Sequence, residues 1–184
     1  MTKWVISVLF LVLQTHVCSA QNKIFEARNG NVSFHSSAQH ELIYASSDHL
    51  TGILDATKKI FAFRISISSF TGFNNSLQQE HFNENYMETS AYPLATFSGK
   101  IIEDIDFSKD GDYIVRAKGK FTIHGIEQER IVKSHIIIKD GKLNVKGEFD
   151  VLLAEYNIKI PRIVSDKLSP VISVSVNCVM TKML

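Results

Sequence analysis

The chain has 184 residues, with 20 Lys and Arg against 19 Asp and Glu, and 45% of it is hydrophobic. That length and apolar content suit one domain with a real core, and a net charge of +1 without a basic run excludes the electrostatic footprint of a protein that binds nucleic acid or an anionic membrane surface. The two cysteines, Cys18 and Cys178, are too few for a disulfide scaffold.

Residues 1–20 read as a secretory signal. Lys3 precedes the ten-residue apolar run "WVISVLFLVL", and "VCSA" sets the small residues Cys18 and Ala20 where a signal peptidase reads. The run is shorter than the roughly 17–25 residues of a membrane helix, so no stable span is expected. "THV" ahead of Cys18 lacks the residues of a lipoprotein site. Cleavage after Ala20 predicts an exported chain, periplasmic or secreted, that starts at Gln21. Loss of Lys3 leaves 19 Lys and Arg against 19 acids, a neutral mature chain. Residues 21–184 contain no repeat, low-complexity tract or linker and are expected to form a single domain.

Period-two alternation then dominates. "IFAFRISI" puts Phe61, Phe63, Ile65 and Ile67 on one face and Arg64, Ser66 and Ser68 on the other. "YIVRAKGKFTI" sets Tyr113, Val115, Ala117, Gly119, Phe121 and Ile123 against Arg116, Lys118 and Lys120. "LNVKGEFDVLL" and "ISVSVNCVM" repeat the pattern through Phe149, Val151, Val174, Val176, Cys178 and Met180. Turn signals separate the runs at "RNGN", "DATKK", "KDGD", "HGIE" and "KDGK". The reading is strands near residues 31–36, 41–54, 58–68, 95–104, 112–124, 127–139, 142–153 and 171–181. Such one-sided strands, with no helices to cover them, must close or pair as a sandwich. The all-β expectation is an eight-stranded antiparallel closed barrel, with Gly99, Gly119 and Gly147 on its inner face to permit curvature or leave room.

Two segments interrupt the sheet. Residues 76–88 predict a short helical excursion, with Ser76 and Gln79 at capping-box spacing, Phe82 and Tyr86 one turn apart, and Glu80, Glu84 and Glu88 along another side. Leu77 falls near the acidic side, and Pro93 ends the excursion. "EYNIKIPRIVSDKLSP", with two prolines, predicts an irregular crossing or a second short helix.

Reactive chemistry finds little support. His81, Glu80 and Glu84 share one helical turn, but His35, His40, His49, His124 and His135 add no ligand spacing, so a solvated helix face is expected and no metal. His124 reads as a turn residue satisfied by backbone. Ser98 and His124 lack a nucleophile elbow, Asp104 and Asp106 read as an exposed strand end, and Cys178 on an apolar face behaves as a small hydrophobe. The chain is not expected to be an enzyme or to need a cofactor. Its apolar faces fit either a barrel packed solid, as a structural or protein-interaction domain, or a hollow one.

"EHFNENYMETSAYPLATFSGKI" and "GKFTIHGIEQERIV" resemble the two motifs of the YceI-like proteins, an acidic-His-apolar triplet leading through a Tyr-Pro pair into a Thr-Phe strand, and a strand ending in Thr-Ile-His-Gly. "VSF" and "IIEDIDF" extend the resemblance over nearly the whole chain from residue 21. It departs at Gln78 and Gln79, where many members carry Arg-Asp. The resemblance implies an exported, lipocalin-like barrel whose interior holds a long isoprenoid chain, with residues 76–93 as a flap across one end. On that reading the partner is a long-chain apolar small molecule, held without being transformed. The alternating faces nominate Phe61, Phe63, Phe97, Tyr113, Val115, Phe121, Phe149, Val151, Val174 and Val176 as its lining. The sequence carries no signal for a homo-oligomer. Each buried CH₂ contributes about 0.8 kcal/mol, so a chain of about 15 carbons offers roughly 12 kcal/mol before ordering costs.

Overall fold

A computed structural model describes residues 23–183; the expected signal, residues 1–20, lies outside the described residues. Eight antiparallel strands follow one another around a closed barrel, as expected. They are β1 (Ile24–Ser37), β2 (Leu42–Asp55), β3 (Ile60–Ser66), β4 (Leu94–Ile101), β5 (Gly111–Ile123), β6 (Ile126–Lys139), β7 (Lys142–Leu152) and β8 (Val171–Lys182). β1 closes the ring against β8, with Phe34 opposite Val174 and Val32 opposite Val176. Closure gives every strand a partner on both sides, over part of its length where β2 meets β3 and β6 meets β7, and so reduces the exposed edges of an open sheet.

Local chemistry sets the hairpins. His124–Gly125 and Asp140–Gly141 all have positive φ, between 50° and 72°, the tight turn whose twist matches flanking strands. Asp55 accepts from the Thr57 and Lys58 amides at 3.0 Å, which folds the β2–β3 connection. "RNGN" departs from expectation: it is no turn but lies inside β1, which starts at Ile24 and shifts register on both sides of Gly30. Pairing with both β2 and β8 overrides the local turn preference there, and the irregularity is absorbed as a bulge. β4 stops at Ile101, short of the expected end at residue 104.

Gly99 and Gly119 face each other across β4 and β5. A Cβ on Gly99 would lie 2.1 Å from the Lys118 carbonyl oxygen, and one on Gly119 would lie 2.2 Å from that of Ser98. The pair therefore provides close backbone approach and curvature, not space. Gly147 behaves differently and borders the interior.

One end of the barrel is sealed. Phe25, Phe107, Ile138 and Leu143 are buried there, at the starts of β1 and β7, the end of β6 and the β4–β5 connection. The other end carries the two interruptions. α1 (Ser76–His81) runs into a wider turn at Phe82–Tyr86, and residues 153–170 form two short 3₁₀ turns, Leu153–Tyr156 and Arg162–Val164, joined by irregular chain.

Candidate apolar cavity

The inward residues of the strands enclose a cavity of about 480 Å³ between the sealed end and the flap. Its wall follows from alternation. Ile172, Val174, Val176, Cys178 and Met180 descend β8 on one side, and Val115, Ala117, Phe121 and Ile123 rise along β5 on the other. Phe61, Phe63, Phe97, Val115, Phe121, Phe149, Val151, Val174 and Val176, nine of the ten nominated residues, line it. Tyr113 does not: it stands on the inner face near the start of β5, packed against the core at the sealed end, with its ring over Gly111. Phe61, Phe97, Phe121 and Phe149 form a chain of ring contacts 5.0–6.4 Å apart that crosses the wall.

A second aromatic group escaped the strand pattern. Phe34, Phe70, Phe73 and Phe82 meet with centroids 5.0–6.1 Å apart, and all four line the flap end of the cavity. They come from β1, from the connection after β3, and from the flap. Period-two counting reaches only Phe34, in β1, and helical spacing only Phe82, in the flap; Phe70 and Phe73 sit in irregular chain and carry no periodic signal.

The flap is anchored by polar side chains. Its N-cap is Asn75, not Ser76: the Asn75 side chain accepts from the Gln78 amide at 2.9 Å, and the Gln78 side chain accepts from the Asn74 amide at 3.0 Å. The Gln78 amide group also donates to Glu41 Oε1 at 2.9 Å, and that of Gln79 donates to the Phe70 carbonyl at 3.2 Å. The two glutamines thus tie the flap to the start of β2 and to the chain after β3. Leu77, expected near the acidic side, borders the cavity and remains 56% exposed. His81, also exposed, borders it too.

At its far end the flap meets the β5–β6 hairpin. His124 Nδ1 lies 2.9 Å from the Tyr156 carbonyl and Nε2 lies 3.0 Å from Glu88 Oε2, while the Tyr92 ring packs edge-on at 4.7 Å. The expected backbone partner is present, with a carboxylate added. Close by, β6 and β7 pair only from Ser134 and Gly147 towards their shared turn. Leu153–Tyr156 packs beside the parting: Arg130 donates to the Tyr156 hydroxyl at 3.1 Å and to Glu155 at 2.7 Å.

Other candidate reactive groups are dispersed. Ser98 lies on the outer face opposite Lys120. Asp104 pairs with Lys59 at 3.0 Å, and Asp106 caps the following turn, the Ser108 hydroxyl holding its carboxyl below the usual range. Cys178 is buried in the wall, and burial pushes its thiol up to about 11. No helix among the described residues is long and apolar enough to cross a membrane.

The sequence model of the YceI-like domain matches residues 16–180. The chain belongs to the YceI-like family. Solved structures agree with this member's fold. A polyisoprenoid binding domain from Saccharophagus degradans, implicated in plant cell wall breakdown, has a TM-score of 0.72 at 16% identity, over 88% of this chain and 99% of that one. BcnA of Burkholderia cenocepacia gives 0.68 at 14% identity, over 82% and 95%, and the YCEI protein of Campylobacter jejuni gives 0.55 at 16%, over 76% and 84%. No curated protein matches the sequence. In this chain the flap and the hairpin described above carry "EHFNENYMETSAYP" and "TIHG".

Proposed function

We propose that this YceI-like barrel is an exported, non-catalytic carrier or store of a long apolar small molecule of the isoprenoid or related lipid class. The observation that carries the reading is the cavity: about 480 Å³ lined almost wholly by apolar side chains and sealed at one end, within the roughly 300–1,000 Å³ of small-molecule sites. A solid packing of the same residues would leave no such space. The polyisoprenoid-binding relative supports the ligand class. The signal-like residues 1–20 support export, which intact-mass measurement of the mature chain tests by finding Gln21, or not, at its start.

Burial drives the binding. Phe61, Phe121 and Val151 offer surface with no polar demand, so a chain that threads between them leaves water and loses few hydrogen bonds. The decisive experiment is mass spectrometry of an organic extract from natively purified protein, with uptake of a fluorescent polyprenyl probe by the delipidated form. A bound lipid and saturable uptake are expected. Phe121→Glu, which sets a carboxylate among the rings, is expected to abolish both in material shown to be folded. Folded native protein that yields no lipid and takes up no probe would overturn the reading.

A further inference from the structure

The rim of the cavity mouth is built from three stretches that lie far apart in the sequence. The β1–β2 turn sits between the flap and the 153–170 segment. On one side Asn74 Nδ2 donates to the Leu42 carbonyl at 3.2 Å and Gln78 Nε2 to Glu41 Oε1 at 2.9 Å. On the other the His40 amide donates to the Asp166 carbonyl at 3.2 Å and the Ser169 amide to Ser36 Oγ at 2.8 Å. Each stretch leaves a large aliphatic side chain in solvent: Leu42 is 63% exposed, Leu77 56% and Ile163 87%. Leu77 also lines the cavity, as do Val164 and Leu168 near Ile163, so the exposed apolar surface continues into the apolar interior. The opposite end is sealed by Phe25, Phe107, Ile138 and Leu143, and a ligand enters and leaves past this rim.

Shape and charge decide what covers it. A protein interface is close-packed at its centre, whereas Leu42, Leu77 and Ile163 stand on separate segments around an opening. A fluid bilayer needs no such fit and takes up apolar side chains singly at interfacial depth. The exposed cations Lys159, Arg162 and Lys167 of the 153–170 segment are offset by the exposed Asp166 beside them and by Glu80 and Glu84 on the flap. The rim therefore offers no strong field to a charged partner, in keeping with a net charge of +1, and apolar contact has to supply the adhesion.

We propose, resting on the ligand class above, that the flap end docks on the surface of a phospholipid bilayer with Leu42, Leu77 and Ile163 set just below the headgroups, and that the cavity loads and unloads in this docked state. Each such side chain taken from water is worth about ten- to a hundredfold in partitioning.

The test is flotation of delipidated protein with phosphatidylcholine vesicles, together with stopped-flow transfer of a fluorescent polyprenyl probe from those vesicles to the protein. The native chain is expected to float with the vesicles, to change its bound fraction less than about twofold between low and high salt, and to take up probe at a rate proportional to vesicle concentration, the mark of transfer by contact. Ile163→Glu should lower partitioning and transfer rate by about tenfold or more. Its affinity for probe supplied without vesicles should be unchanged, because Ile163 does not line the cavity. Ile114→Glu, at a 62% exposed isoleucine on the side of the barrel, should alter neither. A transfer rate independent of vesicle concentration, equal losses in the two folded variants, or partitioning confined to anionic vesicles and abolished by salt would overturn the docking proposal and leave lipid binding intact. Protein that takes up no probe from vesicles or from solution would overturn the ligand class, and with it the loading step, whatever its partitioning.

Discussion

Cys178 shows what a single side chain gains from its place in the wall. It alternates with Val176 and Met180 on β8, and burial disfavours its thiolate, so the thiol is held near 11 in the folded state against an ordinary value of 9.0. The folded state therefore retains a proton that the unfolded chain gives up between about pH 9 and 11. Stability is full below that window and falls as pH rises through it, by about 2–3 kcal/mol. Denaturant midpoints of the native chain and of Cys178→Ala, compared across that range, should show the extra loss only with the thiol, and maleimide labelling at neutral pH should be far slower than in denaturant. The glycines give a sharper contrast. Gly119→Ala drives a methyl to 2.2 Å from a backbone oxygen, which cannot turn aside, whereas the nearest atom to a methyl on Gly147 is the Ser134 hydroxyl at 3.3 Å. Gly119→Ala is expected to cost about 3 kcal/mol or more and Gly147→Ala under about 1 kcal/mol, read from unfolding midpoints at constant slope.

Among the elements, the flap and the 153–170 segment border the same end of the cavity, and His124 joins them. The His124 ring meets the Tyr156 carbonyl through Nδ1 at 2.9 Å and the Glu88 carboxylate through Nε2 at 3.0 Å, so one side chain bridges both segments. Glu88 also receives the Ala91 and Tyr92 amides on its carbonyl, at 2.8 and 2.9 Å, and thereby shapes the turn that leads to Pro93. Glu88→Ala removes one arm of the staple. The expected result is a local loss of about 1–2 kcal/mol, seen as faster hydrogen exchange over residues 82–92 with exchange in β6–β7 unchanged. Tyr156→Phe tests the other side. It removes the acceptor for Arg130 Nε while Glu155 still holds Nη2, so about 1 kcal/mol is expected to be lost and the barrel to stay closed.

For the molecule as a whole, a lined void is a stability defect until something fills it. The wall residues lack partner atoms on their inner side and forfeit the contacts that a packed core would give. A ligand that binds only the folded barrel restores them, and at a hundredfold excess over its Kd it contributes about 2.7 kcal/mol. For a domain of this size that corresponds to a rise in Tm of roughly 5–10 °C. Delipidated protein should melt lower by that amount, and re-adding a prenyl alcohol should restore the original Tm. Scanning calorimetry with and without the alcohol checks it; an unchanged Tm in protein that demonstrably takes up the alcohol would show that the wall is already relaxed around the void.

By itself the sequence determined the strand count and the side most strand residues face, because side chains in a strand alternate with period two, and it narrowed the architecture to a closed barrel or a sandwich, because a one-sided apolar sheet has few ways to bury its face; the pairing of β1 with β8 decided for the barrel. That rule placed Phe61, Phe121 and Val174 inside before any pairing was known, and Gly125 and Gly141 marked their hairpins because only certain residues reach positive φ cheaply. Tertiary structure decided the rest. Whether Gly30 makes a turn or a bulge depends on β8, which lies far away in the chain and pairs beside it. Tyr113 obeys the alternation yet misses the cavity, since depth along the barrel axis is set by strand register and tilt, not by which face a residue occupies. Phe70 and Phe73 reach the cavity from irregular chain, and Gln78 and Gln79 find their partners on Glu41 and Phe70. Those contacts join segments distant in sequence, and no local periodicity encodes the distance between them.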